Sequence, residues 1–184
     1  STQKLLVATA ALATLGPDFR FETRAVGEGE GAQLERVWVV GSGDPELRTA
    51  GHVDDGVSTP LDALADAIVA RGVRRIGTLV ADDTRYDQQR SVPTWRPNYL
   101  LDLDVGPLGA LVVDQGVRFG EGRPTPVEDP ALAAVEALAD ALRARGVVVA
   151  GVDRGTAPSG VVEVASVRSQ PLRVIVRAML AASD

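Results

Sequence analysis

Apolar positions along the chain switch between helical and alternating spacing, and the switches mark out short helices and strands. Residues 2–15 are rich in Ala and Leu and stop at Gly16-Pro17, a helix closed by Gly with Pro just beyond. Phe19, Phe21, Thr23 and Ala25 alternate, which predicts a strand, and a Gly-rich turn follows at 27–31. Residues 37–40 predict a second strand, closed by Gly41-Ser42-Gly43-Asp44-Pro45. Leu61, Leu64, Ala65, Ile68 and Val69 follow a helical period, with Thr59 as the expected N-cap, Pro60 at the first position and Gly72 as the stop. A strand at 76–81 follows, so this part reads as a mixed α/β layer.

The second half is less regular. Residues 82–105 are polar and aromatic, and a loop of that length in a compact domain is usually functional or covering. Residues 110–113 and 117–119 predict a hairpin around 114–116, and Arg123-Pro124-Thr125-Pro126 reads as a linker. Asp129-Pro130 opens the longest helix, to about Arg145, closed by Gly146. A strand at 161–167 and a helix at 171–182 complete the pattern.

Composition narrows the function classes. With 184 residues and 45% apolar content the chain can build one domain or two small ones. A mixed charge with a net of -6 disfavours a nucleic-acid partner. The absence of cysteine excludes disulfides and thiolate metal sites and fits an oxidising setting. The longest apolar stretch, 5–15, is too short to span a bilayer.

Lys4 is the only lysine among 19 basic side chains, and it stands three residues after Ser1. A guanidinium stays protonated in a protein, whereas a desolvated amine can become neutral and act as a base. Ser1 and Lys4 would share a face of the first helical turn, where the positive end of the dipole favours a developing anion. Against this stands the plain reading of a capping serine beside a solvated lysine. Other candidates have equally plain readings. Residues 41–45 lack the lysine and helix of a phosphate loop and read as a tight turn with Asp44 accepting N–H bonds. Asp82, Asp83 and Asp87 could hold a cation, but Arg85 and Arg90 beside them favour a salt-bridged loop. His52 reads as a surface residue, and Arg71, Arg74 and Arg75 as a solvated helix end.

Four ordered segments carry a resemblance. They are Ser1-Thr2-Gln3-Lys4 with Gly16-Pro17-Asp18-Phe19-Arg20-Phe21, then Gly41-Ser42-Gly43-Asp44-Pro45-Glu46-Leu47, Ala81-Asp82-Asp83-Thr84-Arg85-Tyr86-Asp87, and Ser169-Gln170-Pro171-Leu172 onward to Ser183-Asp184. Together they resemble the D-alanyl-D-alanine carboxypeptidase/endopeptidases, the class C low-molecular-mass penicillin-binding proteins of peptidase family S13. The resemblance implies an α+β fold, part of a β-lactamase/transpeptidase-like catalytic domain interrupted by a mixed α/β insertion. Residues 1–24 and 127–184 would belong to the catalytic domain and 25–126 to the insert. It implies Ser1 as nucleophile, Lys4 as general base and Ser183 as the first residue of an S-x-N motif, with no cofactor or metal. The Asn of that motif and the K-T-G motif are not in the sequence, so a chain trimmed at both ends and inactive alone is expected.

The loop at 95–104 would approach the cleft in such proteins. Tyr99 and Asp104 are its substrate-binding candidates, though they do not clearly match the family's specificity residues and a covering loop is the alternative. The implied partners are the peptidoglycan stem peptide and, for the full-length protein, β-lactams as covalent inhibitors. The implied setting is extracytoplasmic, compatible with peripheral membrane association. Two rival readings are a non-catalytic cell-wall binding or scaffolding module and, within enzymes, a serine β-lactamase-like hydrolase. The second is disfavoured by the long insert and by Gly43-Asp44-Pro45.

Overall fold

A computed structural model describes residues 2–53, 56–96, 98–120 and 122–182. Four helices are present among them: α1 Thr2–Leu15, α2 Leu61–Ala70, α3 Pro130–Ala144 and α4 Leu172–Ala181. The central sheet has five strands in the order β8-β5-β2-β1-β9, with β1 Glu22–Glu30, β2 Gln33–Val40, β5 Arg75–Asp82, β8 Val148–Arg154 and β9 Val162–Arg168. Strands β2, β5 and β8 are parallel, while β1 pairs antiparallel with both β2 and β9. Two small ribbons accompany it, β3 Leu47–Arg48 with β4 Thr59–Pro60 and β6 Val117–Arg118 with β7 Thr125–Pro126.

Sequence explains most of these elements locally. In α2, Leu61, Leu64, Ala65 and Ile68 are all buried, the i, i+3, i+4, i+7 stripe of a core-facing helix. In α3 the Asp129 Oδ1 accepts the Leu132 N–H at 3.0 Å and Pro130 takes the first position, where its missing N–H costs nothing. Ala131, Ala134, Val135, Leu138, Ala139 and Leu142 form its buried stripe. Both stripes pack with Val37, Val39, Leu79, Ala81 and Val149 of the sheet into one core. The opposite face holds Val26, Trp38 and Val80, covered in part by Ala157 and Val161.

Several expectations change. Thr59 does not cap α2; Pro60 occupies the N-cap, and the Thr59 N–H is spent on the Glu46 carbonyl at 2.7 Å, pairing β4 to β3. Residues 110–113 are not a strand. Asp114 and Gln115 take positive φ in a 3-10 turn, which redirects Val117–Arg118 to pair with Thr125–Pro126, the stretch read as a linker. The first strand begins at Glu22 rather than Phe19 and runs through Gly27 to Glu30, so the turn shrinks to Gly31-Ala32. Strand β8 has no counterpart in the sequence reading. Helix α3 and strands β8 and β9 share the sheet and core with β1, β2 and β5. The second cluster instead joins the two ends of the chain, with Ala8 of α1 buried against Leu172 and Val176 of α4.

Candidate active site

Lys4 lies in the first turn of α1, half-buried, with Leu5, Leu6 and Val7 exposed beside it. Ser1, its expected partner, lies outside the described residues, as does Ser183 just past the end of α4. What holds α1 in place is a zipper between 17–21 and 169–173. The Ser169 N–H donates to the Phe21 carbonyl at 2.9 Å, Leu172 N–H to Phe19 O at 2.8 Å and Arg173 N–H to Pro17 O at 3.0 Å. The Ser169 hydroxyl, fully buried, accepts the Phe21 N–H at 2.9 Å and donates to Gln170 O at 2.8 Å. Phe19 and Phe21 meet edge to face, 5.1 Å between centroids, under the α1–α4 pair. Thus two of the four segments that carry the family resemblance form the joint that seats the Lys4 helix.

Tyr99 and Asp104 lie elsewhere, on the loop after β5. The Tyr99 carbonyl accepts the Asp104 N–H at 2.9 Å, and the Arg96 guanidinium lies 5.9 Å from the Tyr99 ring. Asp104 lines a cavity of about 430 Å³ together with Asp44, Glu46 and Gln115. Lys4 does not line this cavity. The structure therefore brings Asp104 to the 41–46 turn and not to the lysine.

That turn is tightly built. The Gly41 N–H donates to Asp82 O at 2.9 Å, and a Cβ on Gly41 would stand 2.3 Å from the Ala110 carbonyl oxygen, so no side chain fits. Gly43 has φ +84 and donates its N–H to Ala110 O at 2.7 Å, with Tyr86 against it. Asp44 Oδ1 accepts the Glu46 N–H at 2.9 Å, as a turn aspartate should. Burial pushes the Asp44 carboxyl up from its ordinary value, opposed by the Thr59 hydroxyl, the Glu46 N–H and Arg48. Neither Asp44 Oδ2 nor Thr59 Oγ1 makes a hydrogen bond of good geometry.

Of the acidic trio Asp83 is held in ion pairs, while Asp82 and Asp87 accept hydrogen bonds, the latter from the Gln89 N–H at 3.0 Å. Asp83, its side chain 3% exposed, takes Arg90 at 2.6 Å and Arg154 at 2.6 Å, and Arg154 also reaches Asp129 at 2.7 Å. Asp82 accepts the Thr84 hydroxyl at 2.6 Å and the Ala157 N–H at 2.7 Å. Arg154 was not among the expected partners, because nothing local marks a residue at the end of β8 as facing Asp83. Among the described residues no group of three or more His, Cys, Asp or Glu could hold a metal ion. His52 is at the surface but stacks on Phe119 at 4.0 Å, and its Nδ1 lies 3.1 Å from the Thr49 hydroxyl.

Burial works against the charge of Asp83, yet hydrogen bonds from Arg90, Gln88 and Arg154 outweigh it and hold the carboxyl below its ordinary 3.8. A carboxyl with a depressed native pKa contributes stability above its unfolded value and loses it as pH falls through the native one. Asp83→Asn is therefore expected to be less stable than the parent at neutral pH, with the difference shrinking as pH drops below about 4. Melting temperatures of both proteins across that range check this. A gap that stays constant would mean that the charge of Asp83 does not stabilise the fold.

The description of the D-Ala-D-Ala carboxypeptidase 3 (S13) family matches residues 1–124 and 121–184. The chain belongs to that family. It is 36% identical over 126 residues to a D-alanyl-D-alanine carboxypeptidase of Actinomadura sp. (strain R39), a match covering 66% of this chain and 22% of that protein. It is 34% identical over 193 residues to a carboxypeptidase of Mycobacterium tuberculosis (strain ATCC 25618 / H37Rv), covering all of this chain and 40% of the relative. This member of the S13 family thus spans less than half the length of either curated relative.

The fold agrees with that membership. The crystal structure of penicillin binding protein 4 from Haemophilus influenzae superposes with a TM-score of 0.75 at 20% identity, over 94% of this chain and 51% of that one. The same protein in complex with a β-lactam gives a TM-score of 0.59 at 18% identity, again over 94% of this chain and over 49% of that one. The expected α+β class therefore stands, and the structure adds that its sheet is mixed. No helix among the described residues is long and apolar enough to cross a membrane.

Proposed function

We propose that this chain supplies the nucleophile helix of a serine D,D-carboxypeptidase/endopeptidase acting on D-Ala-containing bonds of peptidoglycan. The observation that carries this reading is the S13 family match across the chain with Ser1-Thr2-Gln3-Lys4 at its head and Lys4 on the first turn of α1. In this reading Ser1 Oγ attacks the carbonyl before the terminal D-Ala while the Lys4 amine takes the hydroxyl proton. Collapse of the tetrahedral adduct expels the D-Ala amine, which leaves with a proton relayed through Ser183. Water then hydrolyses the acyl-serine ester and restores both side chains.

Further parts of the reading follow from the family. The protein acts outside the cytoplasmic membrane, and β-lactams, which place a strained amide where the peptide bond would lie, acylate Ser1. The 95–104 loop is read as facing the side chain of the stem peptide through Tyr99 and Asp104, which do not clearly match the family's specificity residues, with a covering loop as the alternative. The segment alone, without the Asn of S-x-N and the K-T-G strand, does not turn over. Incubating the full-length protein with a fluorescent penicillin and running a denaturing gel tests the core of this. A persistent labelled band is expected, and Ser1→Ala is expected to remove it. Labelling that survives the substitution sinks the nucleophile assignment, while rapid release of hydrolysed penicillin favours a β-lactamase-like hydrolase.

A further inference from the structure

The loop after β5 leaves the fold at Arg90 and returns at Leu108, and one side chain closes its neck. The Leu108 N–H donates to the Arg90 carbonyl at 2.9 Å, and Arg90 Nη1 donates back to the Leu108 carbonyl at 3.0 Å. The other arm of the same guanidinium, Nη2, reaches Asp83 Oδ2 at 2.6 Å and Gln88 Oε1 at 2.8 Å. Asp83 Oδ1 in turn accepts Arg154 Nη2 from the last residue of β8 at 2.6 Å. Arg154 Nη1 continues to Asp129 Oδ2 at 2.7 Å, the carboxylate whose other oxygen caps α3. The neck is therefore tied through one buried carboxylate to the ends of β5 and β8 and to the start of α3.

We propose that Arg90 is a positioning residue that sets the orientation of the 91–107 loop, and through it the selectivity for the substrate side chain. This rests on the reading of Tyr99 and Asp104 as substrate-facing. Inside the loop the bonds are local: Trp95 N–H to Val92 O, Asp102 N–H to Asn98 O and Asp104 N–H to Tyr99 O. Such bonds keep the loop's own shape but do not aim it. Gly106 and Pro107 also pack against Gln115 and Gly116, so aiming falls to that contact and the neck together, and the chemistry at the neck calls for arginine. A planar fork can serve the Leu108 carbonyl with one arm and Asp83 with the other, whereas an ammonium donates from a single point. The Arg90 side chain is 20% exposed, so these bonds are partly shielded from water.

Arg90→Lys in the full-length protein separates charge from fork geometry. The specificity ratio kcat/KM for an L-Lys-D-Ala-D-Ala tripeptide over an L-Ala-D-Ala-D-Ala tripeptide is expected to fall by about tenfold, since a small misplacement of a positioning group costs that much or more. Amide hydrogen exchange over 91–107 is expected to accelerate while the five-stranded sheet keeps its protection. Equal losses on both peptides, an unmoved ratio, or unchanged exchange in the loop would each overturn the proposal. Parent protein that fluorescent penicillin does not label sinks the acyl-enzyme reading instead, and exchange then still decides whether Arg90 closes the neck.

Discussion

Lys4→Arg in the full-length protein is expected to fold like the parent and to lose penicillin acylation by a factor of about 10²–10⁴, the range of a general base. The substitution keeps the charge, the long stem and a similar helix propensity, so α1 has little reason to unwind. It removes only the ability to give up a proton, because a guanidinium remains protonated under any condition in which the fold survives. Stopped-time labelling with a fluorescent penicillin, read beside thermal melts of both proteins, separates the two effects. Acylation at the parent's rate would show that Lys4 is not the base, however well the family motif is matched. A fall in rate that tracks a fall in melting temperature would point to damage to the α1–α4 joint.

The largest effect on stability is expected at Leu138, fully buried at the centre of α3. Truncation to Ala removes apolar contact with the sheet and leaves a cavity that close-packed neighbours only partly fill. The cost is expected to be about 2–5 kcal/mol. For a chain of this size that lowers the melting temperature by roughly 4–20 °C. The form of the unfolding curve matters as much as its midpoint. Because α3 packs with β2, β5 and α2 in one core, the loss is expected to move a single transition that includes β1 through β8. A variant in which the signal from Trp38 in β2 unfolds at the parent's temperature would show that α3 and the sheet are separate cooperative units.

How far the sequence could lead depends on where each interaction partner lies. Helices α2, α3 and α4 were legible because their stripes and stops sit within one turn of each other, as with Asp129, Pro130 and Leu132. Strand β2 was legible because Val37 to Val40 are apolar between polar neighbours. Strand β8 was not, since Val148, Val149 and Ala150 alternate in burial but are all apolar, so the sequence shows no polar–apolar alternation to follow. Thr59 misled because the same residue types that cap helices also suit a short strand, and the choice was made by Glu46, thirteen residues earlier. The catalytic candidates were legible through family segments alone, as Ser1 and Lys4 form a pattern too short to stand by itself. The seat of Lys4, by contrast, depends on Ser169 meeting Phe21 at a sequence separation of 148, and no periodicity encodes such a meeting.

The sheet's construction also has a consequence for synthesis. Strand β1 finds β2 at once across Gly31-Ala32, but its outer edge waits for β9, with Glu22 and Arg168 separated by 146 residues. At translation speeds of about 5–20 residues per second, that edge stays open for roughly 7–30 s after β1 emerges from the ribosome. During that time Ala25 and Val26, both buried in the finished fold, lie on an unpaired strand that other nascent chains could join. The charged residues Glu22, Arg24, Glu28 and Glu30 along that strand are the protection available to it until the last strand arrives.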